Sequence, residues 1–244
     1  MRFDGKRVFV TGAASGIGAA TLALFRKEGA KVVGVDVTPG ADLMHCDVAD
    51  PASVQQAIDA SVDRLGGLDV LVNVAGISSL RKLEDETFER WQQIMGVNAT
   101  GPMLLTKAAL PHLRASRGNI VTVASISALQ GQPYLSAYCA SKGAVLQFMK
   151  SMAVELAADH IRVNCVCPGG VGALPSAEEA QGEVPAALEN LADVDLTLLT
   201  RLNGVLPGIT EQDDIAEAIA WLASDAARSV SGVALRVDRA TLWQ

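Results

Sequence analysis

The feature that most constrains this 244-residue chain is an end-to-end alternation of short β-branched runs with longer helical stretches. The runs are Arg7 to Thr11, Lys31 to Asp36, Asp42 to Asp47, Leu68 to Val74, Gly118 to Ala124, Ile161 to Cys167 and Val233 to Val237. Several of them are nearly continuously apolar, a pattern that suits strands buried on both faces, as parallel strands are when crossover helices cover the sheet. Helical patterning fills the intervals Gly16 to Glu28, Ala52 to Leu65, Thr87 to Asn98, Pro102 to Ala115, Ser136 to Ala158 and Glu211 to Ala223, with Pro51 and Pro102 near helix starts, where a missing N–H costs little. The expectation is a single doubly wound α/β domain over residues 1–244, with a seven-stranded parallel sheet flanked by helices. One interval breaks the rhythm. Between Ala173 and Thr200 the chain carries Glu178, Glu179, Glu183, Glu189, Asp193 and Asp195 and no Lys or Arg. A solvated acidic surface explains that stretch most simply, while its length suggests that residues 170–210 cover a substrate.

Charge and cysteine usage narrow the partners. Twenty basic against 27 acidic residues give a net charge of −7, the wrong sign for a phosphate backbone, so no nucleic-acid partner is expected. The apolar runs are strand-length, far short of the roughly 20 residues of a spanning helix, and no apolar leader precedes the first strand, so no membrane partner and a cytoplasmic location are expected. Cys46, Cys165 and Cys167 fall in strands and Cys139 at a helix start, as buried thiols in a reducing compartment would. Cys165-Val166-Cys167 places two thiols on one strand face, but no His or Cys pair nearby completes a tetrahedral set, so no metal is expected.

Thr11-Gly12-Ala13-Ala14-Ser15-Gly16-Ile17-Gly18 joins the first strand to the first helix. Free backbone N–H groups and the helix dipole at such a turn favour a pyrophosphate, and glycines let it approach closely. Tight strand-to-helix turns also need glycine for steric reasons alone. What raises the signal is Asp36 at the end of the second strand, where a carboxylate can accept hydrogen bonds from both adenosine ribose hydroxyls and repel a 2′-phosphate. No Arg or Lys occurs at Ala13, Ala14, Ser15, Val37 or Thr38, so NAD is expected over NADP in a Rossmann-type site. Asp47 and Val48, and Asn73, Ala75 and Gly76, end the next two strands and are expected to border the same cofactor.

Tyr138-Cys139-Ala140-Ser141-Lys142 opens a long apolar helix, and the spacing of four puts phenol and ammonium on one face. A free tyrosine has a pKa of about 10, so only about one in a thousand is phenolate at neutral pH. A neighbouring Lys⁺ and an oxidised nicotinamide would both favour the phenolate and make Tyr138 a usable base; in reverse it donates a proton to a developing alkoxide. Ser125, after the fifth strand, is positioned to hold the reacting oxygen. The Tyr and Lys alone would more often merely decorate a helix; the combination with Ser125 and the glycine turn points to proton transfer beside a dinucleotide.

Taken together, Thr11-Gly-x-x-x-Gly-x-Gly18, Asn73-x-Ala-Gly76, Asn98, Ser125, Tyr138-x-x-x-Lys142 and Pro168-Gly169 resemble the short-chain dehydrogenase/reductase family over nearly the whole chain. The resemblance implies strand order 3-2-1-4-5-6-7, a Lys142 that also binds the nicotinamide ribose, an Asn98 that holds a water leading from Lys142 to solvent, and a homotetramer or homodimer. It further implies cofactor contacts from Pro168, Gly169 and Val171. Gly172 stands where the family usually places a carboxamide-binding Thr, and Asp238-Arg239-Ala240 replaces a usual Asp-Gly-Gly. The activity expected is hydride transfer between NAD and a ketone or secondary alcohol on an apolar, cyclic or steroid-like small molecule, in a pocket lined by Ile126, Leu129, Gln130, Tyr134 and Leu174. Reduction of a 3-oxoacyl thioester and a non-catalytic NAD-binding role are the alternatives.

Overall fold

The computed structural model describes residues 1–38, 40, 42–172 and 205–241. Seven parallel strands form one sheet: β1 (Arg7–Thr11), β2 (Lys31–Asp36), β3 (Leu43–His45), β4 (Val70–Asn73), β5 (Asn119–Val123), β6 (Arg162–Pro168) and β7 (Ala234–Val237). Their order is β3-β2-β1-β4-β5-β6-β7. Each strand lies within a residue or two of its expected limits, and β3, at the sheet edge where only β2 pairs with it, is trimmed to three residues.

Alternate residues of the same strands feed two cores. Phe9, Leu71, Ile120, Cys165 and Cys167 face α2 (Pro51–Leu65), α4 (Gly101–Ser116) and α5 (Ser136–Glu155). Val8, Val10, Val70, Val72, Val121 and Val166 face α1 (Gly16–Lys27) and the helix Gln212–Ala223, here α6. This two-sided burial accounts for the unbroken apolar runs. Local chemistry sets the helix ends. Asp50 caps α2 by accepting from the N–H groups of Ala52 and Ser53, with Pro51 in the first turn and left-handed Gly66 closing the other end. Reciprocal Glu211 and Asp214 bonds start α6. By contrast, Ser15 makes no side-chain cap at α1, so the helix start is left to backbone groups.

The two helices expected at Thr87 to Asn98 and Pro102 to Ala115 are joined. After α3 (Phe88–Met95) a π-helical turn, Gly96–Thr100, runs directly into α4, and the Gly101 N–H reaches the Gly96 carbonyl five residues back. Pro102 therefore sits inside a continuous rod, because the wide turn absorbs the donor that proline lacks. The extra residue in that turn carries Asn98. The helix after Tyr138 is α-helical to Glu155 and finishes in a tighter turn, Leu156–Asp159. The strand order reverses direction between β1 and β4, and ligands of open α/β sheets bind beyond the carboxyl ends of strands at such a point.

Candidate active site

Beyond that switch point lies a cavity of about 910 Å³ lined by Gly12, Ser15, Gly16, Ile17, Gly18, Asp36, Asp47, Val48, Ala75 and Gly76. Glycine is structurally required at two of these positions. Gly12 has φ +67, and a Cβ there would meet the Ala75 backbone at 2.9 Å; a Cβ on Gly18 would lie 1.9 Å from the Gly12 carbonyl oxygen. Gly16 differs: its φ is +52, yet a Cβ would meet nothing, so the chain turns sharply beside open space. That space, at an uncapped helix start, fits a pyrophosphate. The turn is knitted to the next crossover by Thr11, whose hydroxyl accepts from the Val74 and Ala75 N–H groups.

Asp36 is held in place by two backbone donors, Ala14 N at 3.0 Å and Thr38 N at 2.9 Å, one on each carboxylate oxygen. Among the described residues lining this cavity there is no Lys or Arg, so a 2′-phosphate would meet a carboxylate and no cation. Asn73 is brought elsewhere: it is buried in β4, and its amide donates to the Thr122 hydroxyl across to β5. It braces the sheet behind the cavity. Val37 lines the wall beside Asp36, and sequence reasoning missed Gln92, Gln93 and Val97, because α3 and the turn after it reach this site only through long-range packing.

A second cavity of about 410 Å³ shares Ile17, Val74, Gly76 and Ile77 with the first and gathers Ser125, Tyr138, Lys142, Pro168, Gly169 and Val171. Three strand ends and one helix start thus bring together the residues singled out for chemistry. Ser125 follows β5 and caps a short turn, Ile126–Ala128. Tyr138 and Lys142 sit on α5, with the Lys142 Nζ 5.6 Å from the phenol ring centre and donating to the Val123 carbonyl at 2.9 Å. Burial lowers Lys142 from the ordinary lysine value to about 8.

Tyr138 departs from expectation in this state. Its pKa is raised, first by burial, which disfavours the phenolate, and is only partly offset by a hydrogen bond to Ser125. Desolvation outweighs any help from Lys142, whose ammonium is directed to the Val123 carbonyl. A lowered Tyr138 pKa therefore requires a further positive charge in the cavity.

Asn98 lies on the π-helical turn with both amide protons spent, on the Ile77 carbonyl and the Ser141 hydroxyl, while its carbonyl oxygen accepts from Ile77 N at 2.9 Å. The place of a Gly76 Cβ lies 3.3 Å from both Asn98 Oδ1 and Lys142 Nζ, so these groups flank one small gap that only glycine leaves open. Ile77 and Ser141 were not foreseen; nothing in the local pattern marks a backbone amide as the partner of a side chain 21 residues away.

The expected substrate wall is partly displaced. Ile126 is buried in the core and Leu129 packs against it, while Ile77, Ser78 and Val171 line the cavity beside Tyr138. Tyr134 takes a left-handed φ of 63 and receives the Arg81 N–H on its carbonyl. Leu174 and the acidic stretch 173–200 lie outside the described residues. The two ends of that interval meet: Val171 pairs with Thr210 in a short parallel bridge, and Gly172 N donates to the Thr210 carbonyl. Arg239, with φ 49, clips the same returning segment by donating to the Pro207 and Ile209 carbonyls, so the altered C-terminal turn braces this chain itself.

Comparison with known proteins agrees with this geometry. A family model described as enoyl-(acyl carrier protein) reductase matches residues 12–239. The chain belongs to the short-chain dehydrogenase/reductase family. It is 41% identical over 250 residues to momilactone A synthase of Oryza sativa subsp. japonica, covering 96% of this chain and 89% of that protein. It is 36% identical over 270 residues to (+)-borneol dehydrogenase 2 of Salvia officinalis, covering 98% and 89%. The crystal structure of carveol dehydrogenase from Mycobacterium avium in complex with NAD superposes with a TM-score of 0.84 at 30% identity, covering 100% of this chain and 99% of that one. No helix among the described residues is long and apolar enough to cross a membrane.

Proposed function

We propose that this short-chain dehydrogenase/reductase transfers a hydride between NAD and a ketone or secondary alcohol on an apolar, cyclic small molecule, with Tyr138 as the proton-transfer residue. The observation that carries this is the pair of adjoining cavities that share the Ile17, Val74, Gly76 and Ile77 wall, with the Gly12-to-Gly18 turn and Asp36 lining one and Ser125, Tyr138 and Lys142 lining the other. NAD fits the residues present: the open side of Gly16 for the pyrophosphate, the Asp36 carboxylate for the ribose, and Asp47 and Val48 beside the adenine. When bound, NAD supplies hydride acceptance from an alcohol carbon, or donation to a carbonyl carbon in its reduced form.

The protein's own groups do the rest. Tyr138 takes the alcohol proton as the C–H bond breaks and returns it in reduction. Burial holds the Tyr138 phenol neutral, and its pKa would fall beside the positive charge that oxidised NAD would bring. Ser125 fixes the reacting oxygen, and Lys142, locked to the Val123 carbonyl, keeps a positive charge within reach of the phenol. Asn98 holds the Gly76-Ile77 wall against α5 through Ser141. The cyclic substrate class is supported by the names of the borneol and carveol dehydrogenases and by the apolar Ile77 and Val171 beside Tyr138. Reduction of an acyl thioester is the second reading, favoured by a 3-oxoacyl-(acyl-carrier-protein) reductase of Thermotoga maritima among the relatives; against it, no Lys or Arg among the described residues lining the Asp36 cavity would favour NADP.

The chain is read as one domain in which residues 170–210 cover the substrate, supported by the Val171–Thr210 bridge that holds both ends of that interval at the cavity rim. A homodimer or homotetramer is supported by apolar Phe88, Val154 and Trp221 exposed on three helices, and a reducing cytoplasmic setting by four free cysteines. The test is a panel of cyclic, steroidal and aliphatic alcohols with NAD, followed by absorbance of the reduced cofactor, with Tyr138→Phe as control. Wild type should oxidise cyclic alcohols, and the variant should lose about 10²–10⁴-fold in kcat while binding NAD normally. Near-normal turnover by Tyr138→Phe would contradict the assigned role.

A further inference from the structure

Behind Ser125 runs a hydrogen-bonded chain that leads away from the cavity. The Ser125 hydroxyl lies 3.0 Å from the Ser127 hydroxyl, which lies 2.6 Å from Gln132 Oε1, and the Ser127 N–H donates back to Ser125 Oγ at 3.1 Å. Ser127 is buried, so water does not take its proton, and Ser125 is buried except where it opens onto the cavity. Donor counting fixes the direction. An amide oxygen only accepts, so Ser127 spends its one proton on Gln132; toward Ser125 it can then only accept, and Ser125 spends its one proton on Ser127. The Cys139 thiol also reaches Ser127, but a thiol is a weak donor and acceptor beside an amide carbonyl at 2.6 Å.

In this arrangement Ser125 offers Tyr138 and the reacting oxygen lone pairs only, whereas the hydrogen bond by which Ser125 holds the Tyr138 pKa down needs Ser125 as the donor, the opposite polarity. A lone pair suits a neutral alcohol, whose O–H it can accept. It is the wrong polarity for the alkoxide-like oxygen of hydride transfer, which needs a donor. Half a turn of the Gln132 amide reverses the whole chain: Nε2–H donates to Ser127, Ser127 to Ser125, and Ser125 into the cavity. No covalent bond changes, and each hydroxyl keeps one proton.

We propose that Gln132 and Ser127 are positioning residues that set the hydrogen-bond polarity of Ser125, through an amide that presents either its oxygen or its nitrogen. The inference deepens the dehydrogenase reading and rests on it. It gives opposite expectations from a merely structural bond. Gln132→Glu keeps the acceptor seen in the structure but abolishes the donor, locking Ser125 as an acceptor; Gln132→Met removes both and leaves Ser125 free to rotate.

The experiment measures kcat for NAD-linked oxidation of whichever cyclic alcohol of the panel wild type turns over fastest. In parallel, the Tyr138 ionisation is followed by ultraviolet difference titration of the cofactor-free protein in a Tyr134→Phe background, which leaves Tyr138 as the one tyrosine. The expected order of kcat is wild type, then Gln132→Met, then Gln132→Glu, with the last reduced about tenfold to a hundredfold and NAD affinity unchanged. A structural bond predicts Gln132→Glu close to wild type and Gln132→Met below it, and that order overturns the proposal. Gln132→Glu should also raise the Tyr138 pKa, because the phenolate loses its donor. Adding Ser127→Ala keeps the new charge but cuts the chain, so the pKa should fall back and turnover partly return; a pKa that stays raised in the double variant overturns the proposal in favour of simple charge repulsion. Absence of wild-type turnover across the panel would count against the dehydrogenase reading alone, since the titration still decides the relay.

Discussion

Replacing Lys142 with methionine separates what the buried ammonium costs the fold from what it does in the site. Lys142 is 4% exposed, and burial takes its pKa from 10.5 to about 8. Between those values the unfolded chain still holds the proton that the folded chain has released, so stability of the wild type rises with pH through this window. Below about 8 both states are charged, and the folded state carries the full cost of the buried charge. At about 1.4 kcal/mol per pH unit, a shift of this size corresponds to about 3 kcal/mol across the window. The Lys142→Met variant has no such dependence. Its lost bond to the Val123 carbonyl moves the whole stability curve by a similar amount at every pH and so drops out of the slope. The assay is urea unfolding of the cofactor-free protein at fixed concentration from pH 7 to 10, read from the fluorescence of its three tryptophans, Trp91, Trp221 and Trp243. Wild-type stability relative to the variant should climb by about 2–3 kcal/mol over that range, while the variant loses turnover at every pH. A difference flat to within about 0.5 kcal/mol, near the error of the extrapolation, would refute the claim that burial depresses this lysine.

Two further substitutions probe the cofactor end. Asp36→Asn should lower the ratio of kcat/KM for NAD over NADP by at least about thirtyfold, since two charges of a 2′-phosphate about 4 Å from a carboxylate cost at least about 2 kcal/mol even at the dielectric of water; a ratio unchanged within about twofold would mean that Asp36 does not face the ribose. Gly18→Ala places a Cβ 1.9 Å from the Gly12 carbonyl and must push the turn open. Calorimetric titration should show NAD affinity down at least about tenfold with stability lowered by about 1–3 kcal/mol, and unaltered binding would argue that the turn is not the pyrophosphate site.

The strands were legible because a strand covered on both faces is apolar at most positions, as the central strands β1, β4, β5 and β6 are, although the edge strands β3 and β7 have no fully buried residue. The glycine turn and Asp36 were legible for a related reason: their chemistry depends on backbone conformation and on position at a strand end, both of which are local. The α3–α4 junction was not. Gly101-Pro102 reads locally as a helix start, and only packing against α5, through Asn98 and Ser141, makes a π-helical turn the better solution. The state of the titratable pair was equally hidden. Spacing puts Tyr138 and Lys142 on one face, but burial and the Val123 carbonyl decide that the phenol stays neutral and the ammonium is held back. Likewise, Ser127 and Gln132 are unremarkable residues until the turn after β5 lines them up behind Ser125. By itself the sequence determined the parallel sheet and the glycine turn and marked the residues proposed to react, because periodicity and backbone need are written residue by residue. Proton positions, side-chain clamps and the true cavity wall were left to the tertiary structure, since they depend on desolvation and on partners distant in the chain.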